Sequence, residues 1–391
     1  MAKLGEVCVI NPKDKIENVE MLVSFIPMQK VSETGEIDVS DIREAKDVMK
    51  GFTSFIEGDV LMAKITPCME NGKGAIAKGL YNKRGFGSTE FFVIRPNQSV
   101  VCSEWIYYYT ARKSFRLECE RNMTGSAGQK RVPKRFLEKC EIPVPSLETQ
   151  KQIAATLDKV THTIDLCNAL LGKLDLLVKA RFVEMFGDLA NPECKWEKRK
   201  LVEACANNDD IKCGPFGTQL NKDEYTSSGV AVWEIPQINS LFQTLPVHFL
   251  TPEKAEQLQA YSLIQGDIAM SRKGNVGKCA IFPKGFDDGI IHSDVLRIRL
   301  DFSIANPQFM MCQLHFSGDV QRQIEQVSTG AIMAGVNVTK LKQISVYTPP
   351  IELQHQFAAF VEQTDKSKLA VQQVLKKAET LKKALMQEYF G

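Results

Sequence analysis

Loops that combine glycine with hydroxyl, amide and cationic side chains are the stretches of this chain best suited to chemistry. The chemistry they suit is contact with nucleic acid. In the first half they are Lys64-Ile65-Thr66, Asn71-Gly72-Lys73 and Thr124-Gly125-Ser126-Ala127-Gly128-Gln129-Lys130-Arg131. In the second half they are Cys213-Gly214-Pro215-Phe216-Gly217-Thr218-Gln219, Ser271-Arg272-Lys273 with Lys278, and Thr329-Gly330. Glycine lets a backbone N–H approach a phosphate, while Arg, Lys, Gln and Asn side chains reach base edges. A net charge of +2 means that such affinity must come from local patches. Lys130-Arg131 with Lys134-Arg135, Lys195 with Lys198-Arg199-Lys200, and Arg272-Lys273 with Lys278 are such patches.

Catalytic signatures are sparse by comparison. The five histidines stand far apart, and none has a Cys, His or Asp at metal-ligand spacing. Gly274-Asn275-Val276-Gly277-Lys278 lacks both the gap between glycines and the Ser or Thr after the lysine that a phosphate loop needs. Thr348-Pro349-Pro350-Ile351 lacks the amide or acid and the aromatic of an amino-methyltransferase motif, and reads as the start of a helix. No catalytic residue, metal ligand or cofactor fingerprint is expected in the chain. The eleven cysteines form no CxxC pair and read as small buried residues in a reducing compartment. The first residues lack the apolar stretch of a secretory signal, and no apolar run approaches the roughly 18 residues of a membrane span. A cytoplasmic protein without a membrane partner is expected.

The elements that position these loops occur twice. Pro145-Ser-Leu-Glu148-Thr-Gln150 returns as Pro349-Pro-Ile-Glu352-Leu-Gln354, and the register holds to Met185-Phe186-Gly187 and Tyr389-Phe390-Gly391. Phe55-Ile-Glu-Gly58-Asp59 leading into Val60–Met62 returns as Leu263-Ile-Gln-Gly266-Asp267 leading into Ile268–Met270, a tight turn feeding a strand. Further strands are expected within 72–76 and 277–281, where loops rich in Gly and Lys lead into them, and at 90–95 and 294–299. Helices are expected near 104–121 and 307–327.

A long helix closes each copy. In the first, Ile153, Leu157, Val160, Ile164, Cys167, Leu171, Leu174 and Val178 alternate steps of four and three, a heptad seam. In the second the reading is looser, through Phe360, Thr364, Val371, Val374, Ala378, Leu381 and Leu385. Neither helix can bury its seam alone, and an intervening globule can turn the chain around. The expected architecture is α+β: two similar globular domains (1–147 and 189–350) and two long helices (148–188 and 351–391). The helices would pair as an antiparallel intramolecular coiled coil about a pseudo-twofold.

This arrangement resembles the specificity subunit of type I restriction-modification systems over the whole chain. The residues that carry the resemblance are Pro145, Glu148, Gln150 and Ile153, with Pro349, Glu352, Gln354 and Phe357. The paired Gly58-Asp59 and Gly266-Asp267, and Gly214-Pro215-Phe216-Gly217-Thr218, belong to the same pattern. The first copy has Val9-Ile10-Asn11-Pro12 in place of that last loop, and the chain enters its first domain without a helical lead. The resemblance implies two target-recognition domains, each reading half of an asymmetric, bipartite site in double-stranded DNA. It implies helices that dock two adenine methyltransferase (modification) subunits, which would carry S-adenosylmethionine. Motor-nuclease subunits would join in the restriction form. The alternative is a stand-alone sequence-specific DNA-binding regulator.

Overall fold

The computed structural model describes residues 1–126, 128–189, 194–274, 276–329 and 335–391. Ala127, Asn275 and Gly330 lie outside the described residues, as does the side chain of Thr329. Two compact units make up the chain: residues 1–168 with 373–391, and residues 169–372.

In the first unit, Cys8–Ile10, Phe91–Pro96, Val60–Ala63 and Gly74–Ile76 form an antiparallel four-stranded sheet in that order. A second sheet runs Ile42–Glu44, Leu22–Ile26, Arg84–Gly87, Thr53–Ile56, with a parallel pairing between its two central strands. The second unit repeats both sheets. Ile211–Cys213, Val295–Ile298, Ile268–Ser271 and Cys279–Ile281 form the first. Phe249–Leu250, Val230–Trp233, Gly289–Ile291 and Ser262–Leu263 form the second, again with a parallel centre. Each expected helical stretch is two helices: Ser103–Ala111 and Lys113–Arg121, then Pro307–Phe316 and Gly318–Gln326. The breaks fall at Arg112 and Ser317, whose extended backbones end one helix and begin the next.

The Gly-Asp turns carry the chain from one sheet to the other. Gly58 and Gly266 adopt φ of 87° and 88°, a left-handed conformation open to glycine at little cost. The aspartate that follows accepts the N–H three residues back, Ile56 for Asp59 and Ile264 for Asp267, each at 2.9 Å. Its two oxygens also receive a bidentate arginine, all bonds at 2.8 Å: Arg95, within the neighbouring strand, on Asp59, and Arg299, just past the end of the matching strand, on Asp267. The motif therefore fixes turn and strand pairing together.

Gln150 and Gln354 begin the long helices fully buried. The Gln150 Oε1 accepts the Cys102 N–H at 3.1 Å, and its Nε2 donates to the Val100 and Pro145 carbonyls at 3.0 and 2.8 Å. Gln354 makes the same three bonds to Asn306 N–H, Ile304 O and Pro349 O at 2.9, 3.0 and 2.7 Å. Buried amides are costly unless satisfied, so each glutamine ties its helix to the segment that enters the Ser103–Ala111 or Pro307–Phe316 helix.

The long helices run Leu147–Phe186 and Ile351–Phe390. In the first unit Ile153, Ala154 and Leu157 share a core with Leu385, Met386, Tyr389 and Phe390. In the second unit Val178, Phe182 and Phe186 share one with Phe357 and Val361. The start of one helix thus lies beside the end of the other in each unit, the antiparallel pairing expected. The first seam is as read: Ile153, Leu157, Val160, Cys167 and Val178 are buried, and Ile164, Leu171 and Leu174 half-buried.

The second seam needs correction. Val374 and Leu381 are each 48% exposed, while Leu375 and Lys382 take the inward places. The true seam is Phe357, Val361, Thr364, Lys368, Val371, Leu375, Ala378, Lys382, Leu385, Tyr389, an unbroken alternation of four and three. Its two lysines disguise it. A lysine stem packs as an apolar chain while its head seeks a partner. The Lys368 ammonium lies 2.8 Å from Asp175 and 3.3 Å from Asp365.

Burial pulls the Lys382 pKa below the ordinary lysine range, with Asp165 opposing. The unfolded chain therefore binds that proton more tightly between the depressed value and about 10.5, and stability gains with rising pH across that window. Lys382→Leu is expected to stabilise the protein by about 1–3 kcal/mol at neutral pH. The gap to the wild type should narrow toward pH 10, as denaturant titrations at several pH values would record. A constant gap would show that proton release plays no part.

The cysteines are all free and mostly buried. Burial pushes the Cys8, Cys140 and Cys205 thiols up to about 12, as suits small core residues. Among the described residues no helix is long and apolar enough to cross a membrane.

Candidate nucleic-acid interface

In the first unit the loops read from sequence come together as neighbouring backbones. The Thr66 N–H donates to the Lys130 carbonyl at 3.1 Å, and the Val132 N–H to the Lys64 carbonyl at 2.9 Å. Thr124 and Arg131 exchange both backbone bonds, at 2.9 and 2.8 Å. Thr124, Ser126, Gln129 and Lys130 are exposed on this patch, and Asn71 is exposed on the turn that follows Thr66. Lys64 is half-buried with its ammonium 5.7 Å from the Phe92 ring centre.

Three of the expected contacts are engaged within the fold. Arg131 forks onto Glu90 through Nε and Nη2 at 2.9 and 2.8 Å, and the guanidinium holds the Glu90 carboxyl below its ordinary range. The Thr66 hydroxyl donates to Glu70 at 3.1 Å. Lys73 reaches the Met28 carbonyl at 3.5 Å and lines a cleft of about 1110 Å³ with Tyr107, Tyr108 and Asp158.

In the second unit, Phe216 is 46% exposed and the Arg272 guanidinium lies over its ring at 4.8 Å. The Gly214–Gln219 loop and the 271–273 segment are thus one surface. Glycine is required at 214, because a Cβ there would meet the Ile291 and His292 carbonyls at 2.3 Å. The Gln219 Oε1 accepts the Phe216 N–H at 3.3 Å and the Tyr261 hydroxyl at 3.0 Å, and Thr218 is exposed beside it. Lys273 pairs with Asp294 at 2.7 Å. Lys278 donates to the Asn239 carbonyl at 3.1 Å, so its charge serves the fold. Ser271, expected on the contact loop, is instead fully buried as the last residue of a central strand.

Sequence reasoning missed Glu90 and Asp294, the acids that organise the two patches. Each offers its backbone carbonyl at 2.9 Å to a strand-end cation, Glu90 to the Lys64 N–H and Asp294 to the Arg272 N–H. Both stand at matched positions of the repeat, which is the signal that could have found them. Among the described residues no group of three His, Cys, Asp or Glu side chains is placed to hold a metal ion.

The chain is thus a duplicated α+β unit with cation-bearing loops at matched strand ends. The family model described as the type I restriction modification DNA specificity domain matches residues 1–176 and again 195–381, and the chain belongs to that family. It is 41% identical over 170 residues to the Escherichia coli type I restriction enzyme EcoAI specificity subunit, covering 43% of this chain. The Escherichia coli EcoEI specificity subunit is 40% identical over 164 residues, covering 41%. These matches span 28% and 27% of the two relatives' own lengths. A putative MjaX specificity subunit from Methanocaldococcus jannaschii is 22% identical across 88% of this chain and 80% of its own. The crystal structure of a type I S subunit from M. genitalium shares the fold, with a TM-score of 0.63 at 14% identity, covering 100% of this chain and 95% of that one.

Proposed function

We propose that this chain is the DNA-specificity subunit of a type I restriction-modification complex. Each unit reads one half of an asymmetric, bipartite duplex site. The long helices dock two adenine methyltransferase subunits, which bind S-adenosylmethionine and perform the methylation, while this chain contributes no catalytic group. Motor-nuclease subunits join when the complex restricts.

The observation that carries this reading is the matched strand-end site. Lys64 and Arg272 occupy equivalent places in the two units, held by equivalent backbone bonds, yet they differ in chemistry and surroundings. Equal frames bearing unequal side chains suit two readers of different half-sites. The helices support the docking of two identical subunits. Leu170 and Val374 are 44% and 48% exposed at equivalent positions, and Leu177 and Leu381 are 47% and 48% exposed one heptad on. Large apolar side chains repeated on the outer face of two helices suit a partner that binds twice.

Co-expression with the cognate methyltransferase subunit tests the proposal. Adenine methylation at a single bipartite sequence is expected only when both proteins are present, read by methylome sequencing. Site-specific methylation without this chain would refute it. Tight binding of one operator by the chain alone, with no methyltransferase copurifying, would favour the regulator.

A further inference from the structure

The strand-end position separates the cations of each unit into those the fold has engaged and those it presents. In both units the acid just before the neighbouring strand is neutralised, but by different cations. Glu90 is taken by Arg131, from across the loop, and Asp294 by Lys273, from the residue after the strand end. The remaining strand-end cation, Lys64 or Arg272, makes no ion pair among the described residues.

Arg272 is also oriented. Its backbone N–H donates to Asp294 O at 2.9 Å, and its carbonyl accepts the Val336 N–H at 3.0 Å. Its Nε donates to Val336 O at 3.3 Å, and its guanidinium carbon lies 4.8 Å from the centre of the Phe216 ring. These restraints leave both Nη groups without a hydrogen-bond partner among the described residues. A cation that only neutralises a phosphate gains little from such ordering. A planar fork held in one direction has lost its rotamer freedom in advance, which favours a directional, two-bond contact. Two parallel N–H donors match the O6 and N7 acceptors of guanine in the major groove.

Building on the proposed DNA-specificity role, we infer that Arg272 reads a guanine in the half-site bound by the second unit, with Phe216 as its platform. Lys64 holds the equivalent reading position in the first unit. Lys273, one residue away, is a structural cation and reads nothing.

The test uses the complex of full-length chain and cognate methyltransferase subunit, selecting bound duplexes from a library randomised over both half-sites. For Arg272→Gln, preference for guanine at one position of one half-site should fall about 5- to 150-fold, flattening or turning toward adenine. The other half-site should be unchanged, which also reports that the protein is folded. Arg272→Lys keeps the charge, so it should keep the salt dependence of binding and lose most of the guanine preference. Phe216→Ala should weaken preference at the same position by a smaller factor. Uniform weakening across all sequences, with a salt slope shallower by about 1, would make Arg272 a phosphate contact and overturn the assignment. Unchanged preference in all three variants would overturn it as well. A wild-type complex that selects no bipartite sequence would instead overturn the specificity-subunit reading, and this assignment with it.

Discussion

Asp267→Ala is expected to destabilise the second unit by about 3–5 kcal/mol, while the matched Asp59→Ala should cost the first unit about 1–3 kcal/mol. The two aspartates do the same work in the turn. Each is almost fully buried, each accepts a backbone N–H three residues back, and each receives both nitrogens of an arginine fork. Removing one partner of such a pair leaves a guanidinium in partly buried surroundings, and that uncompensated charge dominates the cost.

The units differ in what remains. Arg95 also forks onto Asp14, with both bonds at 2.7 Å, so it keeps an anionic partner after Asp59 is gone. Among the described residues Arg299 keeps no second carboxylate hydrogen bond, but the Ser262 carbonyl and hydroxyl at 3.3 and 3.5 Å, with Asp210 and Asp288 acting from farther off. Denaturant unfolding followed by hydrogen exchange, reported separately for residues 53–63 and 262–271, measures the two costs. The double variant Asp14→Asn with Asp59→Ala should bring the first unit to the larger loss. Equal losses for the two single variants would mean that Asp14 contributes nothing to holding Arg95.

Much of this frame was readable from residue order, and the parts that were not have physical reasons. The Gly-Asp turns were visible because left-handed backbone selects glycine and the following carboxylate caps the turn. The first heptad was visible because its inward residues are apolar. The central strand Arg84–Gly87 was not, since two of its four residues are glycines, which depress strand propensity. Those glycines answer to packing that only tertiary structure reveals. A Cβ on Gly85 would sit 2.3 Å from the Phe55 ring, and the equivalent Gly289 is crowded at 2.4 Å by Trp233 Nε1. The second seam was obscured by Lys368 and Lys382, polar by type and apolar along most of their length.

The candidate site divides in the same way. Loop residues such as Lys130 and Phe216 announce themselves by composition. Whether a cation is free or already paired depends on an acid far off in sequence, Glu90 for Arg131 and Asp294 for Lys273. Ser271 was misplaced because strand ends are the least certain boundaries in any sequence pattern.

Phe390→Ala should cost about 3–5 kcal/mol. Phe390 is 6% exposed, its ring 4.3 Å from Trp105 and 6.5 Å from Tyr109. Arg112 covers it, its guanidinium 5.8 Å from the ring and its Nη1 bonded to the Phe390 carbonyl. Burial there pulls the Arg112 pKa down, so the cation depends on that carbonyl and on the Tyr109 face at 4.3 Å. Phe186 makes the equivalent closure in the second unit, 4.7 Å from Phe309 and 5.5 Å from Phe357, with Trp196 donating to its carbonyl at 2.7 Å. Each unit's core is therefore completed by the last turn of the long helix from the other copy. Phe390→Ala should lower exchange protection in 103–111 and 134–142 and leave 307–316 unchanged, and Phe186→Ala should do the reverse. Phe390→Leu, nearer in volume, should recover more than half of the loss. Protection lost equally in both units by either variant would contradict this, because the helix ends would then act on the whole chain and not on the single core each one closes.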